Sequence, residues 1–428
     1  MSEARFRVHP KRTLTPIRAL TAEELLTIEP ALAGDKPSVE RLVVHGLLSF
    51  GEATVFEFGR LNILVGPNGS GKSNLIDCLR VLRSSPLDIQ DAFKDSGFEG
   101  WVYRGAPDRR TAKAYLEATL WLPDVPAAVR HQLNLGPAIS SRAQVEEVIR
   151  DAHAKPHEET PFFIGSPRGV AVLSVLGARA RRRERELRPG EYDPFQSILG
   201  RVRDVEQFPE ITRLAALYLG FRIYSEWSFG RSSKLREATS AGRSDDRLSE
   251  SMDDLPLALN GLERSAAHER IRELLRELKE TYRDYVTRIL FGRVGLELLE
   301  APFEEPLPAT RLSDGTLRFL ALAAILLQPE PPPLLCLEEP ELGMHPDMIR
   351  MVAQLIVEAS AKTQIIVTTH SEHLLSSLQD GFDVLFAFDG GTHGSTVRRF
   401  SRKQFTEWAE EHTLGELWTS GEFGGNRW

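Results

Sequence analysis

Gly66-Pro67-Asn68-Gly69-Ser70-Gly71-Lys72-Ser73 decides the fold. It fits G-x-x-x-x-G-K-[ST], a loop whose backbone N–H groups close around phosphate oxygens. The flanking residues agree with that reading. Leu61-Asn-Ile-Leu-Val65 reads as a short buried strand, and Asn74 to Leu82 reads as the helix that follows. The glycines let the backbone turn and approach an anion, and the helix N-terminus adds its positive dipole end. Asn68, Gly69, Ser70, Gly71, Lys72, Ser73 and Asn74 are the candidate nucleotide contacts. Lys72 would reach the β- and γ-phosphates, and the Ser73 hydroxyl would sit on Mg²⁺. A glycine-rich turn with a chance lysine is the bland alternative. Strand, loop and helix in that order weigh against it.

Three later stretches narrow the chemistry. Leu334-Leu-Cys-Leu337 is a fully apolar strand that ends in Glu338-Glu339-Pro340. An acidic pair there sits at the C-terminal edge of the strand, where open α/β sheets hold ligands. Glu338 would hold Mg²⁺ through water, and Glu339 would orient and deprotonate the attacking water. A solvated Glu-Glu turn is the other reading. Thr369-His370-Ser371 closes the next strand, and a histidine at that tip can hydrogen-bond a γ-phosphate. Leu312-Ser-Asp-Gly-Thr316 stands before a buried helix, Thr316 to Leu327, so Ser313 and Gly315 form a second anion site at a helix N-terminus. Two such sites in one sheet cannot easily face one phosphate. The natural solution is a partner subunit in a two-fold dimer.

In order, Gly66–Ser73, Leu312–Thr316, Leu337-Glu-Glu-Pro-Glu-Leu-Gly-Met-His-Pro346 and Thr368-Thr-His-Ser371 resemble the Walker A, signature, Walker B with D-loop, and switch motifs of ABC-type ATPases. Within these, the chain resembles AAA-family ATPases related to the overcoming-lysogenization-defect nucleases and to SMC-like and RecF-like repair ATPases. The likeness covers residues 39–122 and 295–428. It implies an α/β P-loop NTPase of ABC/SMC-head type, two-lobed, with a mostly helical insertion. It implies ATP and Mg²⁺ as cofactors, with Lys72 and Ser73 on phosphate and metal. Glu338 takes the Walker B place, Glu339 is the base and His370 the switch. Ser313 and Gly315 act in trans, and Glu341 to His345 form the D-loop. Asp314-Gly-Thr316 departs from the Gly-Gly-Gln/Glu ending of transporter signatures. The related nucleases carry a Toprim domain; of 428 residues only 58 follow His370, so none is expected.

The rest of the chain sets the frame. Hydrophobic content of 41% and charged content of 27% suit a soluble globular protein, and no apolar run approaches a membrane span. The N-terminus does not read as a signal peptide, and two cysteines in core elements, Cys78 and Cys336, suit a reducing cytoplasm. The net charge of −8 gives no global footprint for nucleic acid. Four regions are expected: an extension at 1–37, with a capping box at Thr21 and Glu24; an N-lobe at 38–126; a helical or mixed insertion at 127–295; and a C-lobe at 296–428. Arg41–Val44 and Ala53–Phe58 read as a hairpin beside the phosphate-loop strand. Gln90 is a weak candidate for the glutamine that senses Mg²⁺, with a solvent-facing glutamine as the alternative. The arginines from Arg179 to Arg188 read as a solvated helix face or, in the minority reading, a phosphate-binding patch for DNA. Residues 229–253 read as a mobile loop. The apolar stripe Ile271, Leu274, Leu275, Leu278, Tyr282, Tyr285, Val286 and Ile289 predicts one helix from about Leu262 to Leu290.

These readings converge on an ATP-gated dimer or higher homo-oligomer, with an effector protein encoded nearby as partner in antiphage defence. A DNA-repair clamp and a scaffold that binds ATP without turnover are the alternatives.

Overall fold

The computed structural model describes residues 36–422 apart from 139–140, 154–160, 167, 169, 177–181, 189, 228–229, 243–246, 393 and 407–411. The capping box at Thr21 and Glu24 lies outside the described residues, as does Arg179. The chain opens with β1 (Val39–His45), β2 (Thr54–Glu57), β3 (Leu61–Val65), α1 (Lys72–Ser84), α2 (Gly97–Trp101) and β4 (Ala114–Leu120). It continues through β5 (Val129–Pro137), β6 (Ala143–Asp151), β7 (Phe163–Gly165), β8 (Ala171–Leu176) and β9 (Arg182–Glu186). Next come α3 (Pro209–Leu219), β10 (Arg222–Tyr224), β11 (Thr239–Ser240), α4 (Leu255–Leu262), α5 (Ala266–Leu278), β12 (Tyr282–Leu290), β13 (Arg293–Glu300) and β14 (Leu307–Pro308). The last third holds α6 (Asp314–Leu326), β15 (Leu334–Glu338), α7 (Pro346–Ser360), β16 (Gln364–Thr368), α8 (Glu372–Leu378), β17 (Val384–Gly391) and β18 (Gly394–Ser401).

A six-stranded sheet in the order β10-β15-β16-β3-β17-β18 carries the motifs. Its first five strands are parallel, and β18 closes the edge antiparallel. All five residues of β3 are buried because both faces of this sheet are covered. Leu64 and Cys336 pack into a core shared with α1, α3 and the antiparallel sheet. Leu61, Ile63, Val65, Leu335 and Leu337 face the other way, into a core built by α4, α5, α6 and α7. Cys78 and Cys336 are free and buried.

The second sheet is antiparallel in the order β2-β1-β4-β5-β6-β7-β8-β9. It corrects three expectations. The β1–β2 hairpin forms, but it pairs with β4 rather than lying beside β3. The β4–β5 pairing runs from Ala114↔Leu135 to Leu120↔Val129, across the boundary expected at 126/127. The first part of the insertion, among the described residues, is strand rather than helix. Val129, His131, Leu133 and Leu135 alternate inward along β5, as do Ala143, Val145, Glu147 and Ile149 along β6. The two polar members satisfy each other: His131 Nε2 lies 2.8 Å from Glu147 Oε1, and His131 Nδ1 lies 2.9 Å from the Tyr218 hydroxyl. Ser197 Oγ donates to the same Glu147 Oε1 at 2.6 Å, and Ile198 N donates to Oε2 at 2.8 Å.

The helix expected from Leu262 to Leu290 ends at Leu278, and Tyr282–Leu290 is strand. The stripe is genuine as far as Leu275, and the aromatic and β-branched residues beyond it fit a pleated surface instead. β12 and β13 form a hairpin whose two-residue turn, Phe291-Gly292, has positive φ at both positions, 50° and 73°. Residues 229–253 are not simply loop. β11 pairs with β13, and Ser233 caps a short 3₁₀ turn at Lys234–Arg236. Among the described residues no helix is long and apolar enough to cross a membrane.

Candidate functional site

Parallel pairing places the ends of β3, β15 and β16 side by side, with Thr368 opposite both Leu64 and Glu338. The chain leaves β3 into the phosphate loop, where Gly69 and Gly71 take φ of 76° and 104°. Gly71 is the N-cap of α1 and no side chain caps that helix, so its first N–H groups point into the loop. β18 braces the loop from behind: Ser395 Oγ lies 2.7 Å from Ser49 Oγ and 2.5 Å from the Ser70 carbonyl, and Asn74 Nδ2 donates to Ser49 Oγ at 2.7 Å. Asn68 and Gly69 form the exposed tip.

Lys72 folds back into this loop. Its Nζ donates to the Gly66 and Pro67 carbonyls at 2.8 and 3.1 Å. Burial pushes the ammonium down to about 8, against the pull of Glu339 and Glu338. Ser73 Oγ donates to Glu338 Oε2 at 2.9 Å. Burial raises the Glu338 carboxyl, and the Ser73 hydrogen bond opposes that shift. Glu339 stands at φ 45°, a strained conformation for a residue with a side chain. Its N–H is held by the Thr368 carbonyl at 3.0 Å and by Thr368 Oγ1 at 3.2 Å. His370 Nε2 lies 3.5 Å from Glu339 Oε1, is buried, and makes no hydrogen bond within the described residues. Burial first, then the Lys72 charge, hold its imidazole below the usual value. Glu341 accepts from Thr369 Oγ1 at 2.5 Å and from the His370 N–H at 3.3 Å. Lys72, Ser73, Glu338, Glu339 and His370 thus meet at one sheet edge.

Ser313 and Gly315 are elsewhere. Ser313 caps α6 by accepting from Thr316 N at 3.1 Å. Ser313 and Thr316 line a hollow of about 370 Å³ with Tyr282, His345, Asp347 and Met348, and no phosphate-loop residue lines it.

Sequence reasoning passed over several residues. Tyr103 and Arg104 line a hollow of about 610 Å³ together with Gly69 and Asn74, large enough for the rest of a nucleotide beside the phosphate loop. Trp227 Nε1 donates to the Glu338 carbonyl at 2.6 Å, and the Arg318 guanidinium sits 4.7 Å over its ring. Arg318 donates to the Leu342 carbonyl, which holds the D-loop; burial lowers it to about 10. None of these residues belongs to a spacing pattern. Only their aromatic or cationic type gave a signal.

Two expectations are corrected. Gln90 is not solvent-facing, and its amide is engaged by backbone groups: its Nε2 donates to the Ala143 and Phe195 carbonyls at 2.9 and 2.6 Å, and its Oε1 accepts from Ala143 N at 2.9 Å. The described part of the arginine cluster, Arg182–Glu186, is an edge strand rather than a helix face. In it Arg182 pairs with Glu210, and Arg185 pairs with Glu191 at 2.7 Å.

The AAA_21 family, described as "AAA domain, putative AbiEii toxin, Type IV TA system", matches residues 61–113 and 199–376, more than half of the chain. The chain belongs to the AAA_21 family. No curated protein matches it. Among solved structures, this AAA_21 protein is similar to an Smc head bound to the C-winged helix domain of ScpA. That match has TM-score 0.55 and 17% identity over 87% of this chain and 100% of the other. It is also similar to a Pyrococcus furiosus Smc head domain with an extended coiled coil bound to the C-terminal domain of ScpA, with TM-score 0.54 and 14% identity over 88% of this chain and 99% of the other. The fold is therefore the P-loop NTPase fold of SMC heads, and the chain carries an AAA domain.

The donor chemistry of the site fits Mg-ATP. A hydroxyl and a carboxylate are hard oxygen ligands, and Mg²⁺ takes few protein oxygens beside phosphate and water.

Proposed function

We propose that the protein hydrolyses ATP in composite sites formed between two copies of the chain, and that closing and opening of this dimer controls a partner protein. One observation carries the reading: Lys72, Ser73, Glu338, Glu339 and His370 converge, whereas Ser313 opens onto a separate hollow. A nucleotide on the phosphate loop then gains its last contacts from the Ser313 and Gly315 of a second copy.

Lys72 binds the β- and γ-phosphates, a task that returns its ammonium to full charge. Ser73 and Glu338 hold Mg²⁺, which supplies charge neutralisation on the phosphates when bound. Glu339, fixed by Thr368, orients the attacking water and takes its proton. His370 donates from its buried Nε2 to the γ-phosphate. Loss of that phosphate removes contacts from both copies, and the dimer loosens.

The family's description names a putative toxin of a type IV toxin–antitoxin system, which supports a place for this chain in a two-component system with a protein partner; an effector in antiphage defence is the partner we propose. The ion pairs of Arg182 and Arg185 disfavour direct grip on DNA through that strand. The test is the mass of Glu339→Gln in solution with and without Mg-ATP. A shift from one chain to two supports the reading. A single-chain mass at saturating nucleotide overturns it.

A further inference from the structure

Asp314 is an awkward residue for an anion site. It opens α6 beside Ser313, its side chain is about half exposed, and its carboxylate would repel a polyphosphate brought up to that helix end. The insertion supplies a compensating charge. Arg236 is nearly buried and pairs its guanidinium with Asp314 Oδ1. The same side chain donates to the carbonyls of Gly230 at 2.9 Å, Ala309 at 3.1 Å and Leu312 at 2.7 Å. Gly230 N adds a further donor to Asp314 Oδ1 at 3.1 Å. The Thr310 carbonyl accepts a longer bond from the Arg236 guanidinium at 3.4 Å. A cation at a helix N-terminus is unfavourable on its own, so it is Asp314 and these carbonyls that hold it there.

We infer that Arg236 is a positioning residue for the signature: it cancels the Asp314 charge and clamps the residues on both sides of Ser313, so that this helix end can accept the nucleotide bound to a second copy. The inference rests on the composite-site reading above. It accounts for a carboxylate standing where transporter signatures place glycine, and it gives residues 230–236 of the insertion a role in ATP-dependent closure. Arg236 acts through Ser313 and Asp314, and none of its contacts is to the phosphate loop.

The test uses the full chain in the Glu339→Gln background, with Mg-ATP as the titrant. Dimerisation is followed by light scattering, and binding to the single chain by a fluorescent ATP analogue. Arg236→Gln is expected to raise the ATP concentration for half-dimerisation by about tenfold or more. Binding to the single chain should not change, because the phosphate loop is untouched. Arg236→Gln/Asp314→Asn is expected to recover most of the loss, since the uncompensated charge is gone. Arg236→Lys, which keeps charge but not the fork, should fall between; it also serves as the assay variant if Arg236→Gln does not fold. If Glu339→Gln alone stays a single chain, the composite-site reading falls and the Arg236 role falls with it. If Glu339→Gln dimerises and Arg236→Gln leaves the midpoint unchanged, or Asp314→Asn gives no recovery, only the Arg236 role is overturned.

Discussion

Ser73 Oγ donates to Glu338 Oε2 across 2.9 Å, joining the start of α1 to the end of β15 over 265 positions of chain. On the proposed function these two hard oxygens serve one Mg²⁺. Ser73→Ala and Glu338→Gln should each raise the Mg²⁺ concentration for half-maximal ATPase activity by about 10–100-fold. A metal titration at fixed ATP checks this. An unchanged midpoint in both variants would remove the metal assignment.

Glu339 and His370 face each other at 3.5 Å beside Lys72. Glu339→Gln should lower kcat by about 10²–10⁴ with ATP binding retained. His370→Ala should lower it by about 10²–10³, with KM little changed. Lys72→Ala should lose binding itself. Single-turnover hydrolysis beside equilibrium binding separates the three, and turnover at the parent rate in Glu339→Gln would refute its role as base.

Gln90 ties three backbone groups of the antiparallel sheet and the 195 region together. Gln90→Ala should cost about 2 kcal/mol in urea unfolding, because buried partners lose their bonds. The Mg²⁺ dependence of the folded protein should stay as it was. The opposite pattern, an altered metal midpoint with full stability, would restore the metal-sensing role.

His268 links α5 to β12. Its Nδ1 lies 3.0 Å from the Glu263 carbonyl and its Nε2 lies 2.8 Å from Asp284 Oδ1, with the Tyr285 ring beside it. Burial lowers its pKa, but the bonds to Glu263 and Asp284 outweigh that and the net shift is upward. A raised histidine stabilises the fold below its ordinary value and loses that contribution as pH rises through the folded value. Tm should therefore fall more steeply from pH 6 to 8 in the parent than in His268→Gln. Parallel slopes would show that this pair does not contribute.

The parallel sheet and its site were legible because they demand fixed residue types at strand ends. Leu61–Val65 and Glu372–Leu378 form where the pattern placed them. Elsewhere the signal was hidden for identifiable reasons. β5 and β6 carry His131 and Glu147 at inward positions, so polar residues interrupt an alternation that their bonds to each other and to Tyr218, Ser197 and Ile198 explain. Tyr282 and Tyr285 extended a helical stripe by chance of spacing, and a Phe-Gly turn is a weak hairpin cue. Arg236 sits in a Ser/Arg/Asp-rich stretch, and its partners at the signature lie 73 to 78 positions later.

β3 lies between β16 and β17, and both of those strands belong to the last third of the chain. During translation the phosphate strand therefore leaves the ribosome long before either neighbour exists, and its five buried positions, four of them apolar, must wait unpaired. On the proposed reading, nucleotide can bind only after β15, β16 and β17 have been made. A message cut short within the insertion therefore yields a product with the loop but without the strands that flank it.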